Sequence, residues 1–476
     1  MFYKTFLNQY LMLFLWSFKQ FLMYAMSNVI KIKKGLDIKL AGLPEKKLHT
    51  LSSLSSYGIK PTNFPGITPK VVSKIGTEVK AGSTLFYDKY NPDVVFSSPV
   101  SGKVAAIHRG ERRRILEFVI EPDGKNESEV FKKENPENLS KEEIKENILK
   151  SGCWPFIRQR PFNITANPNI APRDIFITSF DSAPLAADYN YIVKDDFSAF
   201  QTGVNALKKL TEGNVYLGIK AGETANPFSN TANVEKYEFS GPHPAGNVGV
   251  QINKIKPINK GEVVWTLSAA DVIIIGRLFE TGTYNPERII ALGGSEIKHP
   301  QYYKTLLGTK VSEILKEQLK DNGINKRIIS GNVLTGEKIS ENEYIGFYDT
   351  SVTVIPEGDK PEFFGWAKPG FNKFSMSRTF FSWLNPKKEW VLDANIHGGE
   401  RPFIVTGEME KVFPMDIFPM QLIKAIIIKD LDLMEELGIY EVAEEDFALC
   451  EVINTSKIEI QKIIREGFEF AIKELG

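Results

Sequence analysis

The sequence is poor in metal-binding and redox side chains: only two cysteines and five histidines occur in 476 residues. Cys153 and Cys450 are far apart and lack the spacing of a zinc site, which indicates a reducing compartment and no structural metal. Excess charge is also missing, because 59 basic residues balance 59 acidic ones, so nothing favours a nucleic-acid partner. The length predicts several domains.

A long uninterrupted apolar run is missing as well. Residues 11–25 are rich in Leu, Phe, Trp and Met, but Lys19 and Gln20 interrupt them, and the run falls short of the ~20 residues of a membrane helix. No small-residue cleavage site follows it, which argues against a signal peptide. We expect residues 1–26 to be an N-terminal extension with a non-native start, Met26 being the true one. An interfacial helix is the alternative.

Short β-patterned runs alternate with glycine turns between residues 67 and 121. Their rhythm, followed by S-P-V-S-G at 98–102, resembles the lipoyl and biotinyl carrier domains and predicts a barrel-sandwich hybrid domain over residues 27–125. Lys89 stands where the carriers are modified. A longer arm containing Asn91-Pro92 follows it, so we expect the fold without the modification. A lipoyl carrier is the alternative.

The next segment, residues 126–283, has the pattern of a Rossmann-like α/β domain. A charged linker leads to Ser140 and Glu143, which form a capping box that begins a helix. A strand, a helix and a strand are predicted at 175–178, 197–210 and 215–219. Strand, helix and strand of these lengths indicate a βαβ unit and a parallel sheet.

Two further segments follow the α/β domain. Residues 284–345 are predicted to form a β-grasp (SLBB-type) domain, with strands at 288–292 and 327–330 around a helix at about 312–319. Residues 346–410 form an aromatic-rich β/loop segment. Basic residues are interleaved with its aromatic ones, and at zero net charge this favours a protein-docking or membrane-proximal surface over a nucleic-acid platform.

The C-terminal segment, residues 411–476, is helical in pattern and resembles a two-cluster ferredoxin that has lost its clusters. Such clusters need thiolates, commonly as C-x₂-C-x₂-C-x₃-C-P. Phe413 precedes Pro414 where the last cysteine of that run would be, and Asn454 replaces a cysteine in the second run. The whole chain is therefore predicted to be a multidomain α+β protein without redox centres.

A loop at 151–162 is the candidate ligand site. Phosphate-binding loops need glycines so that backbone amides can approach the anion, and this loop has few. Its flat apolar side chains and arginines suit a ring with carbonyl acceptors, such as a quinone. His243, in a turn rich in Pro and Gly, could donate to a carbonyl or exchange a proton. The candidate quinone-binding residues are Trp154, Phe156, Arg158, Arg160, Phe162 and His243.

A structural interpretation of the same loop stays open. In it, the aromatic side chains pack under a sheet and the arginines contact carboxylates of another subunit. No serine, histidine and carboxylate pattern appears, so the sequence predicts no catalytic residue and no metal ligand of this chain.

Several long motifs occur together and in one order. They are I-K-K-G-L-D at 32–37, S-P-V-S-G at 98–102, P-L-A-A-D at 184–188, G-P-H-P-A-G at 241–246, G-R-L-F-E-T-G at 276–282 and F-G-W-A-K-P-G-F-N-K-F-S at 364–375. This series resembles the A-subunit family of the Na⁺-translocating NADH:quinone reductase. That family is related to the C subunit of the Rnf complex and to the NADH-oxidising subunit of complex I.

The resemblance implies a peripheral subunit on the cytoplasmic face of the bacterial inner membrane. The complex oxidises NADH, reduces ubiquinone and exports Na⁺, with membrane subunits among its partners. Flavins, an iron-sulfur centre and NADH are expected on partner subunits and no cofactor on this one, which is expected to contribute to ubiquinone binding. A scaffold without quinone contact and an NADH- or flavin-binding dehydrogenase subunit are the alternatives.

Overall fold

The computed structural model of the chain describes residues 29–51, 54–223, 226–359, 362–365 and 368–475. The expected N-terminal extension lies outside these residues. Within them, no helix combines the length and the apolar character that crossing a bilayer requires.

Twenty strands are found in the described residues, and most are short. In chain order they are β1 (Val29–Lys31), β2 (Leu48–Thr50), β3 (Tyr57–Ile59), β4 (Pro69–Val71), β5 (Glu78–Val79), β6 (Thr84–Asp88), β7 (Val95–Ser97), β8 (Gly102–Arg109), β9 (Ile115–Pro122), β10 (Arg158–Arg160), β11 (Ile164–Thr165), β12 (Ile175–Thr178), β13 (Val215–Lys220), β14 (Glu235–Ser240), β15 (Val264–Ser268), β16 (Glu287–Gly293), β17 (Gln301–Leu306), β18 (Lys326–Ser330), β19 (Glu337–Ile339) and β20 (Ser351–Pro356).

Ten α-helices accompany the strands in the same part of the chain. They are α1 (Lys141–Ser151), α2 (Tyr189–Val193), α3 (Phe197–Leu210), α4 (Val248–Ile255), α5 (Ala269–Thr281), α6 (Val311–Leu315), α7 (Pro419–Ile428), α8 (Leu431–Glu436), α9 (Ala448–Ile453) and α10 (Ile460–Leu475). Short 3₁₀ helices lie at Pro61–Asn63, Glu111–Arg113, Pro136–Asn138, Trp154–Phe156, Pro227–Asn230, Phe381–Leu384, Met409–Lys411 and Glu444–Phe447.

Local signals in the sequence set several of these bounds. The predicted capping box is confirmed: the Ser140 hydroxyl accepts from the Glu143 N–H, and the Glu143 carboxylate accepts from the Ser140 N–H. Ser268 caps α5 in a similar way, accepting from the Asp271 N–H.

The predicted helix at 312–319 is wrong in extent, because α6 ends at Leu315. Backbone bonds join Lys298 to Gln318 and Lys320 to Glu296, and these hold residues 318–320 extended.

The largest sheet has seven strands in the order β1-β14-β13-β12-β15-β10-β11. The first five run parallel, as the βαβ pattern predicted. Strand β10 runs antiparallel to β15, and β11 runs antiparallel to β10. From β12 the chain passes to β13 and β14 on one side and then returns to β15 on the other. The carboxyl ends of β12 and β15 therefore border a crevice where the strand order reverses, the usual ligand position of such sheets.

Three smaller sheets lie around this one. Strands β3-β9-β8-β5 and β4-β6-β7 form two sheets near the N-terminus, and Phe86 lies between them, stacked on Phe96 at 4.5 Å and on Phe118 at 5.1 Å between ring centroids. The third sheet, β19-β18-β20-β16-β17-β2, packs its apolar face on α6. Two of its strands lie outside the span expected for the β-grasp domain: β2 precedes it and β20 follows it.

The C-terminal helices enclose a separate apolar core. Phe413, which stands in place of a cluster cysteine, and Cys450, the one cysteine that remains in the C-terminal segment, are both fully buried in it. The ring of Phe413 lies 4.9 Å from that of Phe447, and burial raises the pKa of the Cys450 thiol, which keeps it protonated. Apolar packing thus occupies these two positions.

Helices α3 and α5 cross at two glycines. A Cβ on Gly276 would lie 1.7 Å from the carbonyl oxygen of Ala199, and one on Gly203 would lie 2.3 Å from that of Val272. The helix backbones can be this close only because neither position carries a side chain. This crossing holds both helices against the parallel sheet.

We expect Gly276→Ala to lower the free energy of unfolding by about 1–3 kcal/mol, because a methyl group would force the helices apart. Urea unfolding followed by circular dichroism measures this change. Gly399→Ala is the matched control, since a Cβ there has no neighbour within 4 Å, and it should change stability by less than about 0.5 kcal/mol. Equal stability of both variants would contradict the close crossing.

Candidate functional site

The crevice at the carboxyl ends of β12 and β15 contains a cavity of about 150 Å³. Thr178 ends β12 and Ser268 ends β15, so the sheet itself supplies the floor. Residues 246–248, at the amino end of α4, form one wall. Among the six predicted site residues, Arg158, Arg160 and His243 line this cavity.

Arg160 lies on β10 and is 1% exposed. Its Nη2 donates to Glu445 Oε1 at 2.8 Å, and its Nη1 lies 3.9 Å from Asp446 Oδ2. Within the described residues, the Nε and Nη1 atoms have no hydrogen-bond partner. The guanidinium group therefore joins the parallel sheet to the C-terminal helices and keeps unused donors beside the cavity.

Asp446 lies against the amino end of α4. A Cβ on Gly249 would come 2.5 Å from its Oδ2 atom, so glycine lets this carboxylate approach the first turn, where the helix dipole favours negative charge. Burial raises the pKa of Asp446, the charge of Glu445 adds to the rise, and Arg160 opposes it. Removing Arg160 would therefore leave a buried carboxylate without its cation.

Arg158 lies two residues before Arg160, on the same face of β10. Its guanidinium carbon is 4.9 Å from the centroid of the Tyr348 ring, and the Tyr348 hydroxyl donates to the carbonyl of Pro155 at 2.7 Å. In the described part of the chain, Arg158 makes no ion pair. The two arginines therefore differ: Arg160 is committed to carboxylates, and Arg158 keeps its charge available at the cavity.

His243 is 3% exposed and reaches the cavity from the turn before α4. Its Nδ1 lies 3.0 Å from the Ser182 hydroxyl, which also accepts from the Gly246 N–H at 2.8 Å. The backbone N–H of His243 donates to Asp37. Burial lowers the pKa of His243 to about 4, so the ring is neutral at pH 7. Its Nε2 has no partner among the residues described.

Other acidic groups border the cavity. Asp181 is partly exposed at its rim, yet desolvation by the surrounding protein, together with the charge of Glu445, raises its pKa to about 6. Asp271 is buried and pairs with Arg288 at 2.5 Å. These carboxylates offset the arginines, so the cavity does not have the charge of a phosphate site.

The three aromatic candidates do not line the cavity. Trp154 and Phe156 are fully buried in the main core, where Trp154 Nε1 donates to Ala166 at 2.7 Å and the Phe156 ring stacks on Phe347 at 4.7 Å. Phe162 packs on the C-terminal core, 5.9 Å from the Phe468 ring. The structure thus separates the apolar side chains of the loop from its arginines, and quinone binding by these residues stays a prediction.

Sequence reasoning missed several residues that line or border the cavity. Asp181 had a signal, because it closely follows the strand predicted at 175–178, at the carboxyl edge of a parallel sheet where ligands bind. Glu445 and Asp446 had none, because 285 residues separate Glu445 from Arg160. No group of His, Cys, Asp and Glu side chains in the described ranges is arranged to hold a metal ion.

Three protein-family models match segments of the chain. "NqrA N-terminal barrel-sandwich hybrid domain" matches residues 30–123, "NqrA second alpha/beta domain" matches 139–284, and "NQRA C-terminal domain", an SLBB family, matches 289–341. The expected barrel-sandwich hybrid and SLBB-type modules are confirmed by these matches.

Relatives match over nearly the whole chain. The A-subunit of the Na⁺-translocating NADH-quinone reductase of Neisseria meningitidis serogroup B is 40% identical over 450 residues, which cover 94% of this chain and 100% of that protein. Proteins of the same name from Photorhabdus laumondii and Yersinia pestis are 39% and 38% identical over 441 residues, 92% of this chain and 98% of each of theirs.

A solved NAD⁺-reducing [NiFe]-hydrogenase aligns at 9% identity with a TM-score of 0.33, over 64% of this chain and 55% of that one. The chain thus spans about half the length of that structure, and an alignment this weak supports neither fold nor function.

We expect Arg160→Met to lower the free energy of unfolding by about 1–3 kcal/mol, because it removes the hydrogen bond to the partly buried Glu445 and the cation that faces the buried carboxyl group of Asp446. Methionine keeps much of the apolar stem of arginine, so loss of packing contributes little. Urea unfolding at pH 7 measures the effect.

Arg109→Met is the control for Arg160→Met. Arg109 is exposed and donates only to the carbonyl of Arg113, so its loss should cost less than about 0.5 kcal/mol. If Arg160→Met cost as little as the control, the buried ion pair would not hold the C-terminal helices to the sheet.

Proposed function

The chain belongs to the A-subunit family of the Na⁺-translocating NADH-quinone reductase, and from that membership we propose that it contributes to ubiquinone binding and reduction in such a complex. Electrons would come from flavins and an iron-sulfur centre on partner subunits, which also bind NADH. The chain itself would hold no cofactor, and the reaction would be coupled to Na⁺ export by membrane subunits. Its place would be peripheral, on the cytoplasmic face of the bacterial inner membrane.

The fold supports the absence of a bound dinucleotide. We propose that the parallel sheet is a Rossmann-like domain and that the C-terminal helices are a ferredoxin-like module without clusters, within the domain limits expected from the sequence. In place of a glycine-rich phosphate loop, the chain after α1 forms the 3₁₀ helix Trp154–Phe156, whose three side chains are all buried. A phosphate would find no open backbone amides along that helix.

The observation that carries the quinone proposal is the pair of donors at the cavity. A quinone ring is flat and neutral and presents two carbonyl oxygens, each of which accepts hydrogen bonds. Arg158 offers a guanidinium without an ion pair in the described residues, and His243 offers a ring nitrogen. The cavity of about 150 Å³ is close in size to cavities that hold one unsubstituted six-membered ring.

The neutral state of His243 favours donation to a carbonyl. If the Ser182 hydroxyl donates to Nδ1, the ring proton is on Nε2, which has no hydrogen-bond partner among the described residues. This arrangement leaves the Ser182 oxygen free to accept from the Gly246 N–H. His243 would then orient the quinone rather than supply a charge.

A scaffold without quinone contact is the second candidate. The burial of Trp154 and Phe156 and the ion pairing of Arg160 favour it, because these residues act as structural elements. Arg158 and His243 distinguish the two functions, since neither has a structural partner for all its donors in the described residues.

In the assembled complex, Arg158→Gln should weaken binding of a quinone analogue about tenfold to hundredfold, through loss of one charge-assisted hydrogen bond. His243→Phe removes a neutral donor and should weaken binding about twofold to tenfold. Analogue affinity and melting temperature are measured on the same preparations.

Arg109→Gln is the matched control, because this exposed arginine lies outside the cavity. It should leave analogue affinity unchanged. Unchanged affinity in Arg158→Gln and His243→Phe, with intact assembly, would exclude the cavity as the quinone site and favour the scaffold.

The purified subunit should be colourless and free of iron, because Phe413 and Asn454 replace thiolates and the loop after α1 is poor in glycine. An absorbance spectrum and a metal analysis after anaerobic purification check this. Stoichiometric flavin or iron would contradict it and favour a dehydrogenase subunit.

A further inference from the structure

We propose that residues 368–389, here called the aromatic arm, form a docking surface for an anionic lipid bilayer. The arm contains five basic residues and one acidic residue. It has no strand, and its only helical part is the 3₁₀ helix Phe381–Leu384. The proposal does not depend on quinone binding.

The arm is held at its base and within itself. Next to it, Trp390 donates its N–H to the carbonyl of Lys39 at 2.7 Å and accepts from the Ala41 N–H at 2.9 Å. Inside the arm, the Phe381 N–H donates to the carbonyl of Pro369 at 3.0 Å. The Ser382 hydroxyl donates to the carbonyl of Lys373 at 2.5 Å. These bonds fix the shape of a long irregular segment, of a kind that is uncommon and is usually either functional or a disordered linker.

Large apolar side chains of this fixed segment face solvent. Phe371 is 61% exposed, Phe381 52%, Trp383 48% and Leu384 62%. The rings of Phe371 and Phe381 lie 5.9 Å apart, so they form one patch. Half of the exposed large hydrophobic residues in the described chain, 13 of 26, fall between residues 363 and 428. Exposed apolar patches of this kind mark interaction surfaces.

Positive charge lies between the aromatic side chains. Lys368 pairs with Glu362 at 2.9 Å, and Lys373 pairs with the same carboxylate. Arg378 and Lys387 form no ion pair with the residues that the structure describes. The arm therefore presents cations that nothing in the described chain neutralises.

This combination suits the interface of a bilayer. Phenylalanine and tryptophan side chains enter the boundary between headgroups and acyl chains, while arginine and lysine reach the headgroups with their long stems. Anionic phosphates complement the excess positive charge of the arm. A protein partner would need its own acidic and apolar pocket to match the patch, whereas an anionic bilayer supplies both properties together.

Co-sedimentation of the full chain with vesicles of about one third phosphatidylglycerol in phosphatidylcholine tests the proposal. The triple variant Phe371→Ser, Phe381→Ser, Trp383→Ser should bind at least about tenfold more weakly. The double variant Arg378→Ser, Lys387→Ser should bind about thirtyfold more weakly to these vesicles and should show a smaller salt dependence. On pure phosphatidylcholine the double variant should equal the wild type. The proposal rests on the peripheral membrane location proposed above, but no quinone is present, so the result does not depend on quinone binding.

Matched controls remove similar groups elsewhere. Tyr90→Ser with Val130→Ser removes side chains that are 70% and 85% exposed, and Lys33→Ser with Lys70→Ser removes two exposed cations. Both should bind vesicles like the wild type, and residues 1–26 stay unchanged in all chains. Circular dichroism verifies that each variant is folded.

Two results would overturn the proposal. The first is wild-type binding to vesicles by the folded triple variant. The second is a wild-type chain that binds no anionic vesicle, while the triple variant fails to assemble with its partner subunits. That second result would assign the arm to a protein interface.

Discussion

The buried ion pair of Arg160 is the interaction on which the arrangement of the candidate site depends. A guanidinium group that is 1% exposed must be paired, because an isolated buried charge costs several kcal/mol. Its partners, Glu445 and Asp446, come from the C-terminal segment, and Asp446 also contacts the first turn of α4. Together with Arg465, which pairs with Glu444 and donates to the carbonyl of Phe162, this cation fixes the C-terminal helices, the antiparallel edge of the sheet and the amino end of α4 relative to each other.

The cavity is a consequence of this arrangement. The sheet supplies Thr178 and Ser268, and the paired elements bring His243 and Arg158 to the same space. Since Glu445 pairs with Arg160, Arg158 keeps its charge for a ligand. The packing of these elements also raises the pKa of Asp181, because the protein around the cavity desolvates its carboxyl group.

Much of the fold followed from local patterns in the sequence. The capping box at Ser140, the helix at 197–210 and the parallel strands are set by nearby residues, so local sequence patterns predicted them. The pairing of β1 and β2 could not be predicted, because each pairs with a partner more than 200 residues away. Likewise, the arginines of the loop were predicted to act together with its aromatic side chains. The aromatic side chains of Trp154 and Phe156 lie on one 3₁₀ helix and point into the core, whereas Arg158 and Arg160 lie on the following strand β10 and point to the cavity. This difference in direction depends on three-dimensional packing.

Hydrogen exchange of the assembled complex, with and without a quinone analogue, tests most directly whether the cavity binds the quinone. Binding there should slow exchange of backbone amides at residues 179–183 and 243–248, which follow β12 and precede α4. Peptides of the two small N-terminal sheets should exchange equally in both states. Protection confined to membrane subunits, with residues 179–183 and 243–248 unaffected, would contradict a quinone site in this protein.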